Sequence, residues 1–268
     1  MTLYPQQEAE LFRKRLAAGE TLFGCFLSFG SPVSAELMAW AGYDWSIIDL
    51  EHGSRGEADV LPQLQALAGT GCAGFIRVET EDRPRIGRVL DMGAPGIMFP
   101  RIDTPEQAAA AVSGMRYPPK GIRGVGFSNR SAGYGTNFRP YLEASENLLT
   151  IIQIESEAAV QAARQIAAVP GVDILFVGPT DLSFSMGMLG EWDNPRFLAH
   201  LEHVAASAIL EGKVPGMLLP TPDHFDRFHA MGYRFLASGA DVVLLNNAAT
   251  TNIGKLHASR AAATRDLG

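Results

Sequence analysis

The chain has 268 residues, 47% of them hydrophobic and 19% charged, a balance that supports a large buried core and excludes a disordered chain. Its formal charge is −7 with no run of Lys or Arg, which excludes a nucleic-acid-binding stripe. Two cysteines, Cys25 and Cys72, build no disulfide framework. No apolar run reaches the ~18 residues of a membrane span, and the first residues lack the apolar stretch of a signal peptide, so the expected location is cytoplasmic.

In chain order the pattern alternates strand and helix. A helix over Gln7–Ala18 precedes strand Leu22–Ser28, helix Ser34–Ala41, strand Trp45–Leu50 and helix Asp59–Ala68. Strand Gly74–Val78, helix Arg83–Asp91, strand Gly96–Ile102 and helix Pro105–Met115 follow. The second half reads as strand Leu148–Ile154, helix Glu157–Ala167, strand Asp173–Val177, helix Pro195–Glu211, strand Pro215–Leu219, helix Pro222–Met231 and strand Phe235–Gly239. A last helix spans Ala248–Arg265. Thr104-Pro105 and Thr221-Pro222 read as N-caps followed by Pro in the first turn. Several strands are continuous apolar runs, the mark of parallel strands buried on both faces. Eight such units predict an α/β fold, a (β/α)8 TIM barrel formed as one domain over residues 1–268.

Polar residues gather where these strands finish, and that end of a barrel carries the chemistry. Strand two runs out through Asp49, Glu51 and His52, strand three through Arg77, strand five through Gln153 and Glu155, and strand six through Gly178-Pro179-Thr180-Asp181. Side chains two apart share a face, so Asp49 aligns with Glu51 and Gln153 with Glu155. Glu155 and Asp181 are hard oxygen donors that suit Mg²⁺, Mn²⁺ or Co²⁺ better than a closed zinc site. Gly178, Pro179 and Thr180 let backbone approach a ligand carboxylate. Arg77 supplies a permanent cation for a developing oxyanion, and His52 is the natural proton carrier. None of the four lysines, Lys14, Lys120, Lys213 and Lys255, lies in a predicted strand, which favours a metal route over a Schiff base.

Asp49-Leu-Glu-His52-Gly, Arg77, the segment from Tyr117 to Gly126 (YPPKGIRGVG), Gln153-Ile-Glu155 and Gly178-Pro-Thr-Asp181-Leu-Ser183 together resemble the HpcH/HpaI aldolases, the metal-dependent class II pyruvate aldolases, over roughly residues 20 to 260. The resemblance implies that Glu155 and Asp181 hold a divalent metal, and that the 2-oxo acid lies against it. It further implies that Arg77 stabilises the enolate and Gln153 positions the pyruvate unit. His52 would carry protons with Asp91 as its partner, and Asp49, with Glu51 beside it, would support the metal from behind. It also implies cleavage of a 2-oxo acid in sugar-acid or aromatic catabolism to pyruvate or hydroxypyruvate and an aldehyde. The implied assembly is a hexamer, a dimer of trimers, with the C-terminal helix exchanged between subunits. Thr180 stands where Ala is frequent in the family, and Arg101 where an apolar residue is common; these, with Arg55, leave the aldehyde open. The alternatives are a CoA-thioester lyase of the malyl-CoA type, a 2-oxo acid decarboxylase, and a non-catalytic metabolite-binding barrel.

Overall fold

The computed structural model describes residues 4–265. Eight parallel strands close into a barrel in sequence order. They are β1 (Leu22–Leu27), β2 (Trp45–Asp49), β3 (Ala73–Arg77), β4 (Gly96–Phe99), β5 (Leu149–Ile154), β6 (Ile174–Val177), β7 (Val214–Leu218) and β8 (Phe235–Ala240). The first and last strands pair in parallel, Leu22 against Phe235, which closes the ring. The predicted (β/α)8 fold is therefore the observed one.

The helices are α1 (Pro5–Ala17), α2 (Pro32–Trp40), α3 (Val60–Leu67), α4 (Arg83–Asp91), α5 (Pro105–Met115), α6 (Phe138–Ala144), α7 (Glu157–Gln161), α8 (Ala163–Ala168), α9 (Pro179–Ser185), α10 (Pro195–Leu210), α11 (Phe225–Ala230) and α12 (Asp241–Arg265). Thr104 caps α5 as predicted: its hydroxyl accepts from the Gln107 amide at 3.3 Å while Gln107 Oε1 accepts from the Thr104 amide at 3.1 Å. Thr221 does not repeat this. Its hydroxyl turns to His224 Nδ1 at 2.8 Å, and Pro222–His224 forms a 3₁₀ turn ahead of α11. The single helix expected over Glu157–Ala167 is split into α7 and α8 at Ala162, whose ψ of 0° leaves the helical range. Helix α6 was not anticipated, because it buries only Tyr141 and so shows no period to read.

The barrel interior is aromatic. Trp45 of β2 stacks on Phe235 of β8 with centroids 3.8 Å apart, and Phe75 and Phe176 meet Phe235 edge-on. Gly24 makes the room: a Cβ there would lie 2.1 Å from Trp45 Cδ2. Phe12 of α1 caps the strands' N-terminal end by packing on Phe75 and Phe235 at 5.1 and 6.0 Å. With that end closed by an apolar plug, the polar strand ends stand at the opposite mouth.

Helix α12 leaves β8 directly. The buried Asp241 pins its start, accepting from the Ser28 and Val242 amides at 2.8 Å and from Ser34 Oγ at 2.6 Å. The helix starts at Asp241, ahead of the predicted Ala248, and from Val243 through Ala263 every residue is exposed. Val243, Leu245, Ile253 and Leu256 are among them. No helix among the described residues is long and apolar enough to cross a membrane.

Candidate active site

The parallel register places Asp49, the last residue of β2, beside Arg77, the last residue of β3. The two make a fork-to-fork pair, Nε to Oδ1 at 2.9 Å and Nη2 to Oδ2 at 2.7 Å. Both are buried, and Arg77 also lies over the Phe26 ring at 4.9 Å and reaches Glu51 at 3.0 Å. Burial opposes the Arg77 charge, but Asp49, Glu51 and Glu155 outweigh it and hold the guanidinium above its ordinary range. Asp49 Oδ1 also receives the Glu51 and His52 amides at 3.1 and 3.2 Å. One carboxylate thus fixes the cation and the turn that carries His52. Asp49 also lines the mouth that holds Glu155 and Asp181.

Opposite stands Glu155, just beyond β5. Its Oε1 accepts from Gln153 Nε2 at 2.7 Å, and its Oε2 from the Arg101 amide at 3.0 Å. Burial pushes the Glu155 carboxyl up to about 7; the Arg101 amide works against that rise, Asp181 and Glu51 add to it, and Arg77 opposes it. Glu51 is raised too, by burial first, against the pull of Arg77 and His52. Gly178 is required by close approach, since a Cβ there would sit 2.5 Å from Glu155 Oε1. Pro179 then opens α9 and sets Asp181 in its first turn. Gln153 is fully buried, and its Oε1 has no hydrogen-bond donor, although it lines the mouth. Among the described residues no three His, Cys, Asp or Glu side chains converge as a closed metal cage. Two carboxylates, a buried orphan acceptor and space beside them fit a cation whose remaining positions are filled by substrate and water.

Two connected hollows share His52, Glu155 and Asp181. The larger, about 660 Å³, lies over the barrel axis and includes Arg77, Gln153, Gly178, Pro179 and Thr180. The smaller, about 370 Å³, includes Glu51, Arg101, Asp103 and Phe184. The fold thus gathers Asp49, Glu51, His52, Arg77, Gln153, Glu155, Gly178, Pro179, Thr180 and Asp181. Asp91 is elsewhere. It ends α4 and accepts from Arg123 Nη2 at 2.8 Å, while His52 Nε2 faces Glu51 at 3.8 Å. Arg123 also donates to Tyr141 and lies over Tyr117, so the Tyr117–Gly126 segment folds onto Asp91 within the chain. The pairing of Asp91 with His52 is not made in the described chain. Arg55 lays its stem over Gly30 (φ +62°) and lines neither hollow.

Sequence reading missed four residues and one backbone role. Phe26, Phe176 and Trp192 wall the larger hollow, but apolar residues in apolar strands give no signal. Asp103 lies between β4 and the Thr104 cap, and it accepts from Ser156 Oγ at 2.5 Å. The backbone of Arg101 is left-handed (φ 55°), which is uncommon outside glycine, and it sends an amide to Glu155.

A model of the HpcH/HpaI aldolase/citrate lyase family matches residues 22–248. The chain is 38% identical over 237 residues to a 5-keto-4-deoxy-D-glucarate aldolase of Klebsiella pneumoniae, covering 88% of this chain and 93% of that one. It is 39% identical over 238 residues to a hydroxypyruvate/pyruvate aldolase of Chromohalobacter salexigens, covering 88% and 94%. A solved structure of an HpcH/HpaI aldolase/citrate lyase family protein from Burkholderia cenocepacia superposes with a TM-score of 0.87 at 37% identity, over 92% of this chain and 99% of that one. The chain belongs to the HpcH/HpaI aldolase/citrate lyase family, and it is an enzyme, an aldolase. The non-catalytic barrel is thereby set aside.

Proposed function

We propose that this member of the HpcH/HpaI aldolase/citrate lyase family uses a divalent metal to cleave 4-hydroxy-2-oxo acids reversibly. The products are pyruvate, or hydroxypyruvate, and an aldehyde. The observation that carries this reading is the convergence of Glu155 and Asp181 beside Arg77 and the orphaned Gln153 Oε1. Both named relatives act on 2-oxo acids by their printed names, which supports the substrate class.

Glu155 and Asp181 would hold Mg²⁺, Mn²⁺ or Co²⁺, and the bound ion supplies Lewis-acid polarisation of the 2-oxo group. The chain's own groups do the rest. His52, the exposed base at the rim, removes the proton from the C4 hydroxyl. The C3–C4 bond then breaks, its electron pair passing into the enolate of the 2-oxo acid as the aldehyde leaves. Arg77, held rigid by Asp49, stabilises the enolate oxygen; a preorganised donor counts most where charge develops. Return of a proton to C3 gives the methyl group of pyruvate. Gln153 orients the pyruvate unit, and the backbone at Gly178, Pro179 and Thr180 receives its carboxylate.

The exposed α12 supports assembly with further copies of the chain, and we read it as exchanged between subunits of a hexamer, a dimer of trimers. Asp91 and His52, apart in one chain, would then meet only if another copy brings one to the other. The reading places the enzyme in the cytoplasm with small-molecule substrates.

The test is a panel of aldehydes with pyruvate and with hydroxypyruvate, run after chelation and again with each of the three metals. Metal-dependent carbon–carbon bond formation is the expected result. Absence of both bond formation and pyruvate methyl-proton exchange with all three metals overturns the reading.

A further inference from the structure

The turn that carries Glu155 is clamped at two points. Residues 100–104 join β4 to α5, and residues 155–156 join β5 to α7. Two hydrogen bonds cross between these connections. The Arg101 amide donates to Glu155 Oε2 at 3.0 Å, and the hydroxyl of Ser156, the next residue, donates to Asp103 Oδ1 at 2.5 Å. With the backbone on either side, the two bonds close a ring. The Ser156 hydroxyl has one proton and gives it to Asp103, while its oxygen accepts from the Ala159 amide at 3.0 Å and caps α7. A hydroxyl on a carboxylate at this distance is a charge-assisted bond, about twice as strong as a neutral one. Asp103 is fixed on its own side too: its amide donates to Gln107 Oε1 at 2.9 Å, and the neighbouring Ile102 is buried. Arg101 shows what the clamp is for. Its φ of 55° costs an L residue about 1 kcal/mol or more, and such a conformation persists only where its surroundings over-determine it. The same turn supplies the amide to Glu155 Oε2, which accepts no other hydrogen bond among the described residues.

We propose that Asp103 is a positioning residue for the cation site: through Ser156 it holds the left-handed Arg101 turn in place and so sets the orientation of the Glu155 carboxylate. The proposal rests on the reading in which Glu155 and Asp181 hold the divalent metal. Asp103 lines the smaller hollow together with Glu51, Glu155 and Asp181, but it acts by accepting the Ser156 hydroxyl and not by adding charge. Partners that orient the ligands of a metal typically account for about 10- to 100-fold of its affinity.

The experiment measures the Mn²⁺ dissociation constant, by electron paramagnetic resonance of the free ion, on full-length chains stripped with a chelator. Wild type, Asp103→Ala, Asp103→Asn, Ser156→Ala and the Asp103→Ala/Ser156→Ala double variant are compared, with Glu155→Gln as the reference for a lost ligand. Asp103→Ala should weaken Mn²⁺ binding by about 10- to 100-fold. Asp103→Asn keeps an acceptor for the Ser156 hydroxyl and should restore most of the affinity. Ser156→Ala breaks the same bond from the other side and should weaken binding likewise, so the comparison survives if Asp103→Ala does not fold. The two losses should not add in the double variant, because both remove one bond. Wild-type affinity in both Asp103→Ala and Ser156→Ala, with only a lower melting temperature, overturns the proposal, since the clamp is then purely structural. Equal weakening in Asp103→Ala and Asp103→Asn overturns it as well, since charge and not position is then at work. In either case Mn²⁺ binding by the wild type and its loss in Glu155→Gln still uphold the metal reading. A wild type that binds no Mn²⁺, or binding that is unchanged in Glu155→Gln, overturns the metal reading and this proposal with it.

Discussion

Each end of the barrel holds a carboxyl pushed up to about 7, Glu8 at the closed end and Glu155 at the mouth. Their surroundings differ. Glu8 lines a cavity of about 240 Å³ beside α1, with Phe12, Leu64 and Leu67 among its walls. Burial raises it, and among the described residues the countering charge is that of Arg130. Arg130 spends its donors on the carbonyls of Met92 and Leu64, at 3.0 and 3.4 Å, so it acts on Glu8 as a distant charge. Glu155 is raised by burial and also by two other acids, while directed donors from Gln153 and Arg101 hold both of its oxygens in place. A raised carboxyl by itself is no mark of a site. Fixed orientation and converging like charge are what distinguish Glu155, the group proposed to take a cation, from one merely enclosed.

That contrast breaks most sharply at Glu155 and Asp181, the pair proposed to hold the metal. Glu155→Gln and Asp181→Asn should each lower metal-dependent cleavage by about 10³-fold or more, since a lost Lewis acid is worth several kcal/mol. Circular dichroism should remain that of a folded barrel. Full turnover by either variant after chelation would remove these residues from the metal assignment.

The next largest effect belongs to Arg77. Arg77→Ala should reduce kcat by about 10²–10³-fold for aldol cleavage and for oxaloacetate decarboxylation alike, since both develop charge on the same oxygen. The variant also leaves Asp49 buried with only the loop amides, so a loss of about 3–5 kcal/mol in stability should accompany it. Arg77→Lys separates the two effects by keeping the charge while losing the fork. A normal kcat with only a raised KM would reduce Arg77 to a binding group.

His52 should show a smaller and more selective effect. Cleavage removes a proton from the hydroxyl, and pyruvate exchange removes one from the methyl group, whereas decarboxylation yields the enolate by loss of CO₂. His52→Ala should cut the first two by about 100-fold and the third far less. Equal losses in all three would mean that His52 shapes the loop rather than moving protons.

How much of this was legible follows from chemistry. The barrel was, because parallel strands buried on both faces are written as apolar runs such as Ile151-Ile152 and Ile174-Leu175-Phe176-Val177. The polar strand ends were, because Asp49, Arg77 and Glu155 interrupt those runs at one end. What each touches was not. That Asp49 belongs to Arg77 depends on the β2–β3 register, which sequence spacing does not give. That Asp91 belongs to Arg123 depends on a long connection folding back. The left-handed Arg101 was invisible, since nothing in Phe-Pro-Arg announces a positive φ.

The closed end offers the smallest effect and the clearest sign. Glu8 is half-buried by surface, but burial outweighs the opposing charge of Arg130 at its carboxyl. Its raised value means that the fold favours the protonated form. Below the ordinary value of 4.5 the group is neutral in both folded and unfolded chains and contributes nothing. As pH rises from there to about 7 the unfolded chain releases the proton while the fold retains it, so stability falls across that window and levels off above it. Glu8→Gln keeps the shape and removes the ionisation. It should therefore be nearly neutral at pH 5 and stabilise by about 1–3 kcal/mol at pH 8, read as a difference in urea midpoints. Turnover should be unaffected at either pH, because Glu8 and the mouth lie at opposite ends of an aromatic core. An equal difference at both pH values would show that Glu8 ionises freely in the folded protein, and the contrast between the two acids would then rest on Glu155 alone.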